Sequence, residues 1–367
     1  MMKVLLRRIV PVLASALLAA CSSTPSPQPS RPGLGPPPVV RPAPVSPTAP
    51  PPPAGLTQAV ASIVRNFRGR VGLAILRSDA AWTIANQGSE FFPQQSVSKL
   101  WVALTVLDAV DRGKISLDDP VTVTEKDRTV FNQPIMQYVQ SGKSFETTVG
   151  DLIRFQMILS DNSANDILLR KAGGPEAVRR FLIDNRLGSI RFGPGEAQLQ
   201  AGTAGLIWQA DMAKGRAFQE ARAKLTLETR QAAFDRYVAD PVDGASPVAI
   251  ARALMRLQKG NLLSQRSTEY LLARMSESKT GPERLKGGVP PGWRFAHKTG
   301  TGQDLNGTTA GYNDVALITA PDGTSYAVVV LIGQTSASIP ERKAFMQSIS
   351  SAVAAFHKPV VRSTANR

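Results

Sequence analysis

Short apolar segments typical of β-strands lie near both ends of the folded part of this chain, whereas the segments between them have helical patterns. Val71–Leu76 and Trp82–Ala85 predict a strand pair near the start. Asp314–Thr319 and Tyr326–Ile332, separated by a Pro-Asp-Gly turn, predict a hairpin near the end, and Arg294–Lys298 predicts one more strand. The sequence therefore predicts an α+β domain, with one antiparallel sheet built from both chain ends, flanking helices and an inserted all-helical lobe.

Most of the middle of the chain has the apolar spacing of helices. The predicted helices are Val97–Val110, Val149–Leu159, Pro175–Asn185, Pro247–Gln258, Ser267–Met275 and Glu341–His357. Residues 203–238 also have a helical pattern, but they carry few large apolar side chains. We therefore expect this segment to be an excursion from the main domain.

The cysteine and histidine content excludes several classes of protein. The chain has one cysteine and two histidines, so it can form no internal disulfide and no zinc site with four cysteines or with two of each. A Ser-His-Asp hydrolase remains possible only if its histidine is His297 or His357. We expect His297 to be structural, because strand alternation would point it away from its neighbour Lys298.

The N-terminus has the pattern of an export signal. Residues 1–20 combine three basic side chains with an uncharged apolar run from Ile9 to Ala20 that is too short to span a bilayer comfortably. The segment Leu18-Ala19-Ala20-Cys21 resembles the lipobox of bacterial lipoproteins, which implies lipidation of Cys21. Ser22 then implies the outer membrane, facing the periplasm. The alternative is an ordinary signal peptide with an incidental cysteine.

Residues 21–56 predict a tether between the lipidated cysteine and a folded domain at residues 57–367. Positions 22–55 hold 14 of the 28 prolines, so the segment cannot pack a core and should be extended. The formal net charge of the whole chain is +15. Since an exported protein does not meet the genome, we expect anionic envelope polymers or lipid head groups as partners rather than nucleic acid. Simple solubility is the alternative explanation of the charge.

The first motif that carries chemistry is Ser96-Val97-Ser98-Lys99, at the start of the most apolar helix. Side chains at i and i+3 share a helix face, and a lysine buried by that helix can act as a base that makes the serine nucleophilic. The string alone is weak, since Ser276-Glu277-Ser278-Lys279 repeats it. A serine N-cap followed by a surface lysine is the competing interpretation.

Two further motifs follow in order. Ser160-Asp161-Asn162 ends a predicted helix, although Asp161 can simply cap the next one. Lys298-Thr299-Gly300 ends the strand Arg294–Lys298 and offers a cation, a hydroxyl and a close backbone approach. The triplet recurs at Lys279-Thr280-Gly281, but there it follows a helix and precedes a proline, so we interpret it as a helix-ending turn.

Together the three motifs resemble the class A β-lactamases and penicillin-binding proteins over residues 57–358. The resemblance implies an active site between the sheet and the helical lobe, in which Ser96 is the nucleophile and Lys99 the base or proton relay. Ser160 would pass a proton to the leaving nitrogen. The implied mechanism requires no metal and no cofactor.

The same resemblance assigns substrate contacts. Asn162 would bind the substrate amide, and Lys298 and Thr299 would hold its carboxylate beside Gly300. The backbone N–H groups of Ser96 and Thr301 would form the oxyanion hole.

Glu196-Ala197-Gln198-Leu199-Gln200 resembles the omega loop of class A enzymes, where the glutamate activates the hydrolytic water. It lies 36 residues after Ser160. The sequence departs from that pattern in Gln200, which replaces an asparagine, and in Pro194, near the place of the arginine that ties the loop down. Two insertions, one between Glu196 and Pro247 and one within Gln303–Gly311, are expected to flank the cleft. A surface glutamate in a Gly/Pro-rich loop is the alternative for Glu196.

Three functions remain open at this point. The leading one is a serine β-lactamase with a small β-lactam substrate. The second is a D-alanyl-D-alanine peptidase that acts on peptidoglycan, and the third is a non-catalytic envelope binding module. We expect a monomer, anchored to the membrane through its lipid and able to contact peptidoglycan.

Overall fold

The computed structural model describes residues 51–359, and within them a five-stranded antiparallel sheet has the order β2-β1-β9-β8-β5. The strands of residues 51–359 are β1 Arg70–Arg77, β2 Thr83–Asn86, β3 Pro120–Val123, β4 Phe145–Thr148, β5 Arg294–Thr301, β6 Asp304–Leu305, β7 Thr308–Thr309, β8 Tyr312–Thr319 and β9 Ser325–Gln334. Strand β1 pairs with β9, which joins the two ends of the domain. The predicted α+β architecture is confirmed. Residues 1–50 lie outside the described residues, and with them the signal, Cys21 and most of the tether.

Eleven α-helices occur in the described part of the chain. They are α1 Ala54–Arg65, α2 Lys99–Asp111, α3 Val149–Ile158, α4 Asn162–Lys171, α5 Pro175–Asp184, α6 Glu196–Thr203, α7 Ala217–Ala223, α8 Leu227–Ala239, α9 Pro247–Gln258, α10 Gln265–Ser276 and α11 Ile339–Ala355. Helix α1 starts at Ala54, so it includes the last three residues assigned to the tether. None of the helices in residues 51–359 has the length and apolarity needed to cross a membrane.

Both faces of the sheet are covered, which explains why β9 is a continuous apolar run. Val329 and Leu331 face the larger core, which the helical lobe fills around α2. Val328 and Val330 face the smaller core, which α1 and α11 cover. A strand buried on both faces loses the alternation of a half-exposed strand. The sheet thus forms the rigid wall against which the lobe is placed.

The two insertions pack against each other at one side of the domain. The first insertion, predicted as an excursion, forms helices α7 and α8. The segment after β5 folds into the small hairpin β6–β7. Leu305 of the hairpin is buried with Phe234 and Tyr237 of α8. The Asn306 amide donates to Gln231 Oε1 at 3.2 Å. The predicted excursion is therefore joined to the sheet through a second insertion.

Candidate active site

Ser96 lies in a tight turn between the sheet and the helical lobe. The turn is a 3₁₀ segment, Gln95–Ser98, that leads directly into α2. Gln95 has φ +54°, a left-handed conformation that is uncommon for a residue with a side chain and marks local strain. Its backbone N–H donates to Asp243 Oδ2 at 2.8 Å, and its side-chain amide donates to the Tyr237 hydroxyl at 2.6 Å. These bonds hold the strained turn and present Ser96 to the cleft.

Lys99 is fully buried and connects three predicted site residues. Its Nζ donates to Ser96 Oγ at 2.7 Å and to Asn162 Oδ1 at 2.9 Å. It also forms an ion pair with the carboxylate of Glu196. A cation this deep requires such partners, because an unpaired buried charge is very costly. The predicted contact between Ser96 and Lys99 is confirmed, but Ser96 lies in the 3₁₀ segment and α2 begins only at Lys99.

In the Ser160-Asp161-Asn162 segment, Asp161 stabilises the fold, whereas Ser160 and Asn162 line the cleft. Asp161 caps α4 by accepting from the Ala164 N–H at 2.8 Å, and its second oxygen accepts from the Ile135 N–H at 2.6 Å. Ser160 has φ +58°, so the chain turns there and brings its hydroxyl to the cleft. The capping interpretation of Asp161 is confirmed, while its two neighbours line the site.

Strand β5 supplies the opposite wall. Lys298 is fully buried, and its Nζ donates to Ser160 Oγ at 2.8 Å. Burial, together with the nearby charge of Lys99, holds the pKa of Lys298 well below its usual range. The 2.8 Å contact joins Lys298 and Ser160 in a short path along which a proton can pass. His297 lies in the other direction and pairs with Asp314 at 2.8 Å, as the alternation of the strand predicts.

Gly300 brings the strand close to the nucleophile turn. A Cβ at this position would lie 2.4 Å from the Gln94 carbonyl oxygen and 3.3 Å from the Ser96 backbone nitrogen. Only glycine therefore allows this approach, which places Thr301 and Ser96 on the same cleft.

We expect Gly300→Ala to lower kcat/KM by at least 10-fold, because the added methyl group must push β5 away from the Ser96 turn. Hydrolysis rates and the thermal unfolding midpoint of the variant measure the effect. Gly202→Ala is the matched control, since it lies in α6 and its added Cβ would meet no atom within 4 Å. Equal activity of the two variants would contradict the assigned role of the close approach.

Asp166 holds the Glu196 loop, which lacks the arginine that usually ties it down. Its carboxylate accepts from the backbone N–H of Glu196 at 2.9 Å and of Ala197 at 3.2 Å, at the first turn of α6. Arg179 adds a bond to the Phe192 carbonyl at 3.0 Å. Burial, reinforced by the negative charge of Glu196, raises the pKa of Asp166 to about 6. This anchor was not predicted, because Asp166 lies 30 residues away and belongs to no recognisable motif.

Glu196 comes from the omega loop, at the first residue of α6, and it is buried. One carboxylate oxygen pairs with Lys99, and the other, Oε2, is buried without a hydrogen-bond partner among residues 51–359. Such a carboxylate oxygen is free to accept a proton from a reacting group. The interpretation of Glu196 as an incidental surface residue is therefore wrong.

Gln200 lies on the cleft wall, but its amide is held by other glutamines. It donates to Gln95 Oε1 at 2.9 Å, and Gln303 donates to its carbonyl side-chain oxygen at 3.1 Å. In the described part of the chain, no hydrogen bond joins the side chains of Gln200 and Glu196. The Gln200 amide is thus held by the nucleophile turn and by Gln303, just before the inserted hairpin.

The cleft has a volume of about 520 Å³ and includes residues that the sequence motifs did not indicate. Thr280, from the triplet interpreted as a mere turn, lies in the wall, and its hydroxyl is 2.7 Å from that of Thr299. Arg284 donates to Thr301 Oγ1 at 2.6 Å and to the Gly300 carbonyl at 3.0 Å. The interpretation of Lys279-Thr280-Gly281 as a turn after a helix holds, but it did not include this contact with the cleft. Only the tertiary contact between the end of α10 and β5 shows that Thr280 belongs to the cleft wall.

The inserted elements also form part of the cleft wall. Arg222 of α7 and Asp304 of the hairpin line it, as does Phe131. The expectation that both insertions flank the cleft is confirmed. No group of three or more histidine, cysteine or acidic side chains in residues 51–359 is arranged to hold a metal ion.

A half-buried serine bonded to a buried lysine, with a second lysine, a bridging serine and a buried glutamate around it, defines a class of serine acyl-transfer hydrolase. The model of the β-lactamase enzyme family matches residues 55–356. The chain belongs to this family. The family, the fold and the site together support a serine β-lactamase over the peptidase and the binding module.

Several known β-lactamases are similar to this chain in sequence or in structure. The extended-spectrum β-lactamase PER-1 of Pseudomonas aeruginosa is 30% identical over 297 residues, which cover 80% of this chain and 85% of PER-1. The β-lactamase VEB-1 of Pseudomonas aeruginosa is 28% identical over 76% of this chain and 83% of its own length. A β-lactamase structure from Chitinophaga pinensis superposes with a TM-score of 0.65 at 28% identity, covering 81% of this chain and 97% of the other.

Proposed function

We propose that this protein hydrolyses β-lactams through an acyl-enzyme on Ser96, with Glu196 activating the water that releases the product. The observation that carries the proposal is the position of Lys99, whose Nζ contacts Ser96, Asn162 and Glu196 together. One buried amine thus links the nucleophile to a carboxylate with a free oxygen.

In acylation, Ser96 Oγ attacks the carbonyl carbon of the ring and loses its proton either to Lys99, once Lys99 has passed one proton to the paired carboxylate of Glu196, or through a water to Glu196 directly. The N–H groups of Ser96 and Thr301 stabilise the oxyanion. As the C–N bond breaks, the ring nitrogen takes a proton from Ser160, which Lys298 replenishes across the 2.8 Å contact. Lys298 regains a proton from solvent, and the Lys99 and Glu196 pair releases to solvent the proton it took from Ser96, so Glu196 is ionised again before deacylation. The substrate carboxylate lies against Lys298 and Thr299.

In deacylation, Glu196 Oε2 takes a proton from a water whose oxygen attacks the acyl carbonyl carbon. The bond to Ser96 Oγ breaks, and the serine regains its proton from the Lys99 and Glu196 pair. General-base assistance of this kind contributes roughly 10²- to 10⁴-fold. A penicillin-binding peptidase has no such glutamate, and a binding module has no need of this complete set.

The wild-type protein with a chromogenic cephalosporin tests the proposal. We expect a linear progress curve over many turnovers and, by intact-mass measurement, little accumulated adduct. A single burst that leaves the protein stably acylated would instead indicate a peptidase. The absence of both turnover and adduct with several β-lactams would leave only the binding module.

We further propose that the protein is a monomeric lipoprotein of the outer membrane, facing the periplasm. The support is the signal pattern of residues 1–20, the position of the sole cysteine and the following Ser22. The proline-rich tether would let the basic domain reach peptidoglycan while its lipid stays in the membrane. A single lipid anchor with a spacer requires no partner subunit.

Cys21→Ser should abolish lipid attachment and shift the protein from the membrane to the soluble periplasmic fraction. Incorporation of a labelled fatty acid and fractionation measure the two effects, and Ser22→Ala is the control that keeps the cysteine. Membrane association that persists in Cys21→Ser without label would contradict the anchor.

A further inference from the structure

The inserted helix α7 brings a guanidinium to the edge of the cleft. Arg222 lines the cavity that contains Ser96 and Thr301. Its Nη2 donates to the Asp304 backbone carbonyl at 2.7 Å, which fixes the side chain over the inserted hairpin. The two insertions therefore position a cation at the end of the cleft beyond β5.

This cation has no ion-pair partner among residues 51–359. Arg222 Nε is buried without a partner among residues 51–359, and the same holds for Nε of Arg230. The Asp304 carboxylate attracts Arg222 but forms no ion pair with it, and instead accepts a hydrogen bond from the Thr309 hydroxyl. Burial and the charge of Arg230 lower the pKa of Arg222. A partly desolvated guanidinium whose donors are not all satisfied favours an incoming anion.

An aromatic surface lies beside the cation. Phe131 lines the same cavity and is 46% exposed. It packs edge-on against Phe218 of α7, with ring centroids 5.1 Å apart. Phe218 and Arg222 are four residues apart on that helix, so they lie on the same face. The end of the cleft thus offers an aromatic ring and a cation together.

The position of the reacting carbonyl decides which part of a substrate reaches this end. In the proposed reaction the substrate carboxylate lies against Lys298 and Thr299, and the carbonyl lies at Ser96. The wall continues through Thr301 and Gln303 to Asp304, where Arg222 binds. The acyl side chain of a β-lactam projects from the other side of the reacting carbonyl. It is the group that extends toward Arg222.

Resting on the proposed function, we propose that Arg222 determines specificity by binding an anionic group on the acyl side chain of the substrate. An aryl group with a neighbouring carboxylate fits the pair of Phe131 and Arg222. The enzyme would thus prefer β-lactams with two anionic groups, one at each end of the cleft.

Benzylpenicillin and α-carboxybenzylpenicillin test this inference, because they differ by one carboxylate in the acyl side chain. The quantity measured is the ratio of kcat/KM for the carboxylated substrate to that for benzylpenicillin. We expect Arg222→Gln to lower the ratio about 10-fold, as befits a charged hydrogen bond. Arg222→Lys should restore part of it. Added salt should lower the ratio in the wild type more than in Arg222→Gln.

The matched control is Arg216→Gln, an exposed arginine at the start of the same helix, which should leave the ratio unchanged. An equal loss on both penicillins in Arg222→Gln would indicate a structural role only and overturn the inference. So would an unchanged ratio. If the wild type hydrolyses neither penicillin, the proposed function fails first and the inference falls with it. Hydrolysis of benzylpenicillin with no charge effect at Arg222 overturns the inference alone.

Discussion

Ser96→Ala should abolish hydrolysis of every β-lactam, with kcat falling by about 10⁴-fold or more. The substitution removes the atom that forms the acyl bond, and no other hydroxyl bonded to a buried lysine can replace it in the same position. Lys99 keeps its contacts with Asn162 and Glu196, so we expect the fold to survive. Hydrolysis of a chromogenic cephalosporin and the intact mass after incubation with benzylpenicillin measure the effect.

The chain contains its own control for this experiment. Ser276→Ala changes the serine of the second S-x-x-K string, which ends α10 and is exposed. It should retain wild-type turnover. Residual turnover in Ser96→Ala, or an adduct that maps to another residue, would move the nucleophile elsewhere. The thermal unfolding midpoints of both variants show whether a loss of activity is a loss of folding.

Glu196→Gln should convert the enzyme into one that acylates and then stalls. The amide has nearly the shape of the carboxylate but cannot accept a proton from water, so we expect deacylation to slow by about 10³-fold. With benzylpenicillin, the protein mass should increase by the full mass of the antibiotic and remain so for many minutes. The initial burst of ring opening should match one equivalent of enzyme.

The outcome separates Glu196 from Lys99 as the base for acylation. A burst as fast as that of the wild type assigns acylation to Lys99, whereas a slow burst assigns a share to Glu196. Glu228→Gln, at an exposed position in α8, is the control and should turn over normally. Full turnover by Glu196→Gln would contradict the proposed deacylation step. The proposal would then require another group to activate the water.

The sheet and most helices were predictable from local pattern. Helix α9 begins and ends at the predicted residues, Pro247 and Gln258, since a serine cap and a proline mark its start. The strands of the C-terminal hairpin extend one to two residues beyond the predicted limits. The pairs β3–β4 and β6–β7 were missed, and the two-residue strands of β6–β7 carry too little periodicity to detect.

The residues of the active site were likewise predictable only in part from the sequence. Ser96, Lys99, Ser160, Asn162, Glu196, Lys298, Thr299, Gly300 and Thr301 were all named from sequence, and the structure brings them to one cleft or its supporting contacts. Thr280, Arg284 and Asp166 were not found, since each acts through a neighbour distant in sequence. Asp166 is instructive: it holds the Glu196 loop with two backbone bonds that leave no trace near Glu196 itself.

Local sequence by itself determined the elements of this protein and the chemical groups it can use, because helix periodicity, strand patterns and motif order are short-range properties. Tertiary structure decided how those groups act. Lys99 has its role because folding buries it against Ser96, Asn162 and Glu196. Arg222 reaches the cleft because two insertions, some 80 residues apart, pack on each other. Distances between side chains and their exposure to water set charge and reactivity, and both arise only when distant segments meet.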